Sequence, residues 1–153
     1  MQNEDTIVDF SPKITPLNSL SDDNSPEDSP LHPPPSPSED NISSIRSTNP
    51  PYWGPKLWYS IHNAAAAYPN DPSPAWKYRM KQFILGLPVV IPCEKCFASA
   101  SAYIISIQPK LDEIVSSNEN LVVFFWQFHN DVNIKLNKPT LSLSAIKKLY
   151  PSS

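Results

Sequence analysis

Cys93 and Cys96 are the only cysteines in the 153-residue chain, and two residues, Glu94 and Lys95, separate them. On a helix this spacing brings both sulfurs onto one turn. Pro92 puts Cys93 at or near a helix start, where the positive end of the peptide dipoles favours thiolate over thiol. Lys95 adds positive charge beside it. Such settings lower a cysteine pKa from ~8.5 into the range ~3.5–7.5, which makes the sulfur a nucleophile at neutral pH. Several chemistries share this signature. A zinc half-site needs four ligands in total, and within residues 51–153 only two histidines, His62 and His129, far apart in sequence, remain to complete it. A thioredoxin-like redox site needs strands around the motif. Two unreactive core cysteines are the bland alternative. The remaining reading is a disulfide that passes electrons to a flavin.

A flavin held by helices needs flat apolar walls, small residues where a helix approaches closely, hydrogen-bonding groups for the ring edges and ribose, and cations for a pyrophosphate. Trp58, Tyr68, Trp126 and Phe128 can supply walls, and Ala64 to Ala67 the small surface. His129, Val132, Asn133 and Leu136 lie at helical offsets 0, 3, 4 and 7, so they share one face, with Lys138 just beyond. A His and an Asn on an otherwise apolar face are costly unless each bonds something. Trp58 and His62, four apart, share a face in the same way. Trp76 and Trp126 default to core positions.

The punctuation that must position these groups is helical. Pro55 suits the first turn of a helix reaching about Ala67, and Tyr68-Pro69-Asn70-Asp71-Pro72 stops it. Ser73-Pro74 caps a second helix with an apolar stripe of Trp76, Met80, Phe83, Ile84 and Leu87, ended by Pro88. A third runs from Cys93 to about Ile107 and is closed by Pro109; a fourth spans about Glu119 to Asn137 before Pro139; a short fifth covers roughly Ser142 to Tyr150. The pattern predicts an all-α fold, a small four-helix bundle plus a short fifth helix.

Composition divides the chain near residue 50. Residues 1–50 carry nine acidic side chains against two basic, net −7, with nine of the nineteen prolines, and their sole aromatic is Phe10. Residues 51–153 are net +4. The first stretch is too polar to offset its ordering entropy by burial, so 1–50 reads as a disordered acidic Pro/Ser-rich tail and 51–153 as the folded domain. The longest apolar run, Phe83 to Cys93, is far short of the ~20 residues of a membrane span and is broken by two prolines, so no membrane span is expected. The acidic N-terminus lacks the marks of a signal or transit peptide. Two glycines argue against Gly-rich phosphate loops, and a +4 domain does not by itself suggest nucleic acid.

Together these residues resemble the FAD-linked sulfhydryl oxidases of the Erv/ALR family. The resemblance rests on Trp53-Gly54 through Trp58 to His62, on Tyr68-Pro69, on Pro92-Cys93-Glu94-Lys95-Cys96, and on the run His129-Asn130-Asp131-Val132-Asn133 through Leu136 to Lys138-Pro139. It implies non-covalent FAD in the mouth of the bundle, a homodimer, and oxidation of thiols to disulfides with molecular oxygen reduced to hydrogen peroxide. By the same resemblance Cys96 lies beside the flavin and Cys93 takes the incoming thiolate. Trp53, Gly54, Trp58, His62, His129, Asn130, Val132, Asn133 and Lys138 are implied as cofactor contacts, with Lys147 and Tyr150 near the pocket mouth. No second, shuttle cysteine pair is present, and the structural disulfide of other members is missing. Both departures resemble the short forms of large cytoplasmic DNA viruses, which implies a thioredoxin-like or CxxC-containing carrier protein as direct substrate and a cytoplasmic or virion setting. The segment Val89-Val90-Ile91 is longer than the family pattern before the CxxC. The rival from another class is a non-enzymatic helical interaction module, zinc-stapled or not.

Overall fold

The computed structural model describes residues 8–11 and 48–152. Six α-helices follow in order: α1 Pro50–Ala66, α2 Pro74–Gly86, α3 Glu94–Ile107, α4 Leu111–Ile114, α5 Asn118–Lys135 and α6 Leu143–Leu149. A 3-10 turn, Leu87–Val90, prolongs α2, and a second, Gln108–Lys110, carries α3 into the single turn of α4. The chain thus makes four main rods and the short α6, an all-α bundle with no strand among the described residues.

Serine and cysteine side chains start four of the helices. Ser73 accepts from the Trp76 N–H at 3.4 Å, Ser117 from Asn120 at 3.2 Å and Ser142 from Ala145 at 3.1 Å. Each satisfies an amide that lacks an intrahelical partner, worth ~1 kcal/mol per cap. At α3 the cap is Cys93 itself, whose Sγ accepts from the Cys96 N–H at 3.3 Å. The third helix therefore begins one residue later than the sequence suggests.

Two prolines behave differently from expectation. Helix α1 starts at Pro50, with Pro55 inside it, because Pro50 and Pro51 occupy the first-turn positions where a missing N–H costs nothing. Pro109 does not close the third rod. It sits in the first turn of a 3-10 segment, which tolerates it for the same reason, and the chain continues into α4.

The core is contiguous. Ile61 and Ala65 of α1 meet Phe124, Phe125 and Phe128 of α5, with Tyr103 and Ile107 of α3 and Ile146 of α6 closing it. Asn118 joins three parts of the bundle. Its buried Nδ2 donates to Ala65 O at 2.6 Å and Ala66 O at 3.0 Å, and its Oδ1 accepts from Ser152 at 3.0 Å. The last carbonyls of α1 are thus satisfied by a side chain at the start of α5. The Ala64–Ala67 stretch serves this packing rather than a ligand: Ala65 and Ala66 are buried where α1 meets α5.

The α2 stripe is only partly internal. Ile84 and Leu87 are buried, whereas Trp76 and Phe83 are 53 % and 42 % exposed, so Trp76 is not a core residue. Trp126 does pack against the core and donates its indole N–H to Leu141 O at 2.7 Å.

The expectation of a solvated stretch over residues 1–50 fails at one point. Phe10 is completely buried and belongs to the core cluster. A single aromatic in a polar stretch is easily averaged away by composition, yet one buried Phe contributes as much as several polar residues oppose. Residues 1–7 and 12–47 of that stretch lie outside the described residues.

Candidate active site

Cys93 and Cys96 are joined in a disulfide at the N-terminus of α3, with Cα atoms 5.2 Å apart. The N-cap position directs the positive end of a 14-residue helix at the sulfurs. The two cysteines differ in setting. Cys96 lines a cavity of about 440 Å³, while Cys93 does not.

Three helices and two loops wall this cavity. From α1 come Trp53, Gly54, Leu57, Trp58 and Ile61; from α3 Cys96, Ser99 and Ala100; from α5 Phe128, His129, Val132 and Asn133. Ile91 and Leu87 enter from the segment before the CxxC, and Tyr150 from the end of α6. The extra length at Val89-Val90-Ile91 is absorbed by the 3-10 turn, which leaves Val89 and Val90 78 % and 62 % exposed and turns Ile91 to the cavity. A Cβ on Gly54 would meet no protein atom within 4 Å, so the wall there is bare backbone with free space before it.

Aromatic stacking organises the inner wall. The Trp58 and His129 rings lie parallel, centroids 4.0 Å apart and planes 6° off. Phe128 meets Trp58 edge-on at 5.4 Å. His62 lies behind this layer, 1 % exposed, and shares a hydrogen bond with His129, Nε2 to Nδ1, at 3.0 Å. Its ring stacks on Tyr150 at 5.0 Å. Both imidazoles are held in the neutral form. Burial, then the neighbouring His129, lowers the His62 pKa to about 4; burial, then Lys138, lowers that of His129 to about 4. The bond to His62 occupies Nδ1 of His129 and leaves its other ring nitrogen for a ligand.

The mouth is cationic. Lys95, Lys135 and Lys138 all border the cavity. Asn137, at φ 53°, takes the left-handed turn that ends α5, a conformation Asn tolerates well. Lys138 then folds back, its N–H donating to Asn133 O at 2.8 Å. That turn delivers Lys138 to the rim.

The structure brings Trp53, Gly54, Trp58, Cys96, His129, Val132, Asn133, Lys138 and Tyr150 around one space. Three other expected contacts stand off it. His62 does not line the cavity and reaches it through Trp58, His129 and Tyr150. The Asn130 amide is spent on backbone, donating to Leu141 O at 2.9 Å and accepting from Leu141 N at 2.8 Å, which pins the loop before α6. Lys147 pairs with Glu119 at 2.6 Å on the surface. Of the proposed walls, Tyr68 and Trp126 do not line the cavity: Tyr68 donates its hydroxyl to Val115 O at 3.0 Å, and Trp126 borders a second cavity instead. Lys135 and Ser99, joined at 3.2 Å, were not anticipated; Lys135 lies three residues after Val132, so the helical register carried the signal.

The donor set suits a flavin nucleotide. Flat aromatic and aliphatic walls meet a ring system, His129 and Asn133 offer polar groups, and a lysine rim meets a pyrophosphate. Zinc would require more ligands than the pair supplies, and among the described residues no group of three or more His, Cys, Asp or Glu could hold a metal ion. Among the same residues no helix is long and apolar enough to cross a membrane.

Known proteins share this arrangement. The sequence pattern of the Erv1 / Alr family matches residues 55–151. Protein 347L of Invertebrate iridescent virus 6 is 40 % identical over 105 residues, covering 67 % of this chain and 95 % of that protein. The FAD-linked sulfhydryl oxidase of African swine fever virus (isolate Warthog/Namibia/Wart80/1980) is 32 % identical over 102 residues, 67 % of this chain and 82 % of that one. Among solved structures, the yeast Erv1 core superposes with a TM-score of 0.63 at 28 % identity, covering 76 % of this chain and 96 % of that chain. A disulfide at the wall of a cavity shaped for a flavin, on this fold and with these relatives, places the chain in the Erv1 / Alr family of sulfhydryl oxidases.

Proposed function

We propose that the protein is an FAD-dependent thiol oxidase that makes disulfides in a partner redox protein and hands the electrons to molecular oxygen. The observation that carries this reading is the unequal placement of the two sulfurs: one borders the cavity, the other does not.

The chemistry of the chain itself follows from that asymmetry. A substrate thiolate attacks Cys93 Sγ, the disulfide breaks, and Cys96 leaves as thiolate at the positive end of α3. A second substrate thiolate then attacks the substrate sulfur of the mixed disulfide. This releases oxidised substrate and Cys93 as thiolate or thiol. Cys96 remains as the electron-rich sulfur on the cavity wall. FAD, when bound, supplies the two-electron acceptor that returns Cys93–Cys96 to the disulfide and is reoxidised by oxygen to give hydrogen peroxide.

Trp53, Trp58, Val132 and Tyr150 would clasp the cofactor, Gly54 would let it approach the α1 backbone, and His129 and Asn133 would hydrogen-bond it, with Lys138 and Lys135 near its phosphates. His62 acts behind them by holding the orientation of His129. Asn130 does so by fixing the loop that follows α5.

With only two cysteines in the chain, no internal relay exists, so substrate must reach Cys93 directly. A thioredoxin-like or CxxC-containing carrier fits this demand, and viral relatives point to a cytoplasmic or virion setting. A homodimer belongs to the same reading. Trp76 and Phe83, seven residues apart on one face of α2, give an apolar surface for a second copy. The deciding experiment is purification followed by oxygen uptake. The expected preparation is yellow, carries a flavin absorption band and consumes oxygen with dithiothreitol; a folded, colourless protein that takes up no added FAD overturns the reading.

A further inference from the structure

Residues 8–11 lie on the bundle at a built site that shares no lining residue with the cavity beside Cys96. The Phe10 side chain is 0 % exposed within the core cluster. One amide side chain reads the backbone around it. Gln127 Oε1 accepts from the Phe10 N–H at 2.7 Å, and Gln127 Nε2 donates to Val8 O at 3.1 Å. A neighbouring strand would pair with residues 8 and 10 in the same way. Lys110, at the junction before α4, donates to Asp9 O at 2.8 Å. Ser11 N–H closes back on Asp9 Oδ1 at 2.9 Å. Three successive peptide units and one aromatic side chain are thus each held by a specific partner.

The site lies between α3 and α5. A second cavity, about 420 Å³, borders the segment, with Tyr103 on one side and Trp126, Gln127 and Asp131 on the other. Gln127 is two residues before His129, or about 200° around the helix, so the same helix presents the cofactor stripe on one face and this clamp on the other.

We propose that the α3/α5 groove is a docking site for a short linear motif, and that its occupant is Val8-Asp9-Phe10 of the same chain. The motif is defined by an aromatic side chain for the socket, an extended backbone for the Gln127 amide, and a carbonyl for Lys110. The N-terminal segment is thereby fastened at Phe10, and the connection from Ser11 to Thr48 begins and ends on the folded body. Closing a loop of this length costs little more than closing one half as long, so a few specific contacts suffice to hold it in cis. This goes beyond the oxidase reading and does not depend on it.

The test uses the full-length chain. In hydrogen exchange on the wild type, the Phe10 amide is expected to exchange at least tenfold more slowly than in a free peptide of residues 6–13; exchange at the free-peptide rate overturns the proposal. Phe10→Ser should lower Tm by about 10 °C or more. A fluorescein-labelled synthetic peptide of residues 6–13 should bind Phe10→Ser and not the wild type, whose socket is filled. Equal binding to both, or to neither with Tm unchanged, overturns it. Light scattering should give Phe10→Ser the same mass as the wild type; a lower mass would place the motif in a second copy and refute docking in cis.

Discussion

The paired imidazoles predict how the fold responds to acid. His62 Nε2 and His129 Nδ1 are 3.0 Å apart, and both rings have pKa values lowered from 6.5 to about 4. The folded pKa lies below the unfolded one, so between pH 4 and 6.5 the unfolded chain binds more protons. The stabilisation is complete above pH 6.5, declines as pH falls, and is gone below about 4. For fully buried His62, moving from pH 7 to pH 5 removes about 2 kcal/mol by linkage. His129 is half-buried, so solvent screening makes its share smaller, roughly 1 kcal/mol or less. For about one hundred ordered residues the sum corresponds to a Tm drop of roughly 10–20 °C. The assay is thermal melting at pH 7 and pH 5, with and without added FAD, on the wild type and on a His62→Asn/His129→Asn double variant. The wild type should lose more than the double variant does. An equal loss in both proteins, or imidazole resonances of either residue titrating near pH 6.5, would refute the argument that burial keeps this pair neutral.

Other consequences can be tested alongside. Cys96→Ala should retain FAD and lose turnover, because the sulfur on the cavity wall is the one that must reach the acceptor; sustained oxygen consumption by that variant refutes the assignment. His129→Ala should lower flavin content after dialysis by tenfold or more, since it removes the ring stacked on Trp58 and a polar group at the wall. Gly54→Ala should weaken flavin binding while leaving the flavin-free protein as stable or slightly more so, because a Cβ there meets no neighbouring protein atom within 4 Å and Ala favours helix over Gly by roughly 1 kcal/mol; unchanged affinity would show that the cavity wall there is not used. Asn118→Ala should destabilise the fold by about 1–3 kcal/mol, seen as a lower urea midpoint, because the carbonyls of Ala65 and Ala66 lose a buried donor.

The bundle was legible because prolines and serines punctuate it. Ser73, Ser117 and Ser142 each start a helix by a local side-chain bond, a signal that needs no tertiary information. Proline was less decisive. Pro50, Pro88 and Pro109 each occupy a first turn, where the residue starts a helical segment as readily as it stops one. The burial of Phe10 was not legible. The backbone on either side of it is held by residues about a hundred positions away, Lys110 and Gln127, and no local pattern encodes that meeting.

The site shows the same division between what a residue type demands and where the demand is met. A polar side chain on an apolar helix face announces a need for a partner, and four such residues on α5 meet that need in four different places. The sequence cannot say which partner. His129 lines the cavity, Asn130 bonds the Leu141 backbone, Gln127 bonds the backbone of residues 8 and 10, and Asn118 bonds the end of α1. Four polar positions on one helix thus serve four different elements, at angles fixed by 3.6 residues per turn. A substitution anywhere along α5 therefore acts through the element that its angle reaches. Gln127→Ala should loosen the N-terminal segment, whereas His129→Ala should loosen the cofactor. If the two variants proved indistinguishable in Phe10 amide exchange and flavin retention, the helix would be behaving as one rigid support and the separation of its faces would be wrong.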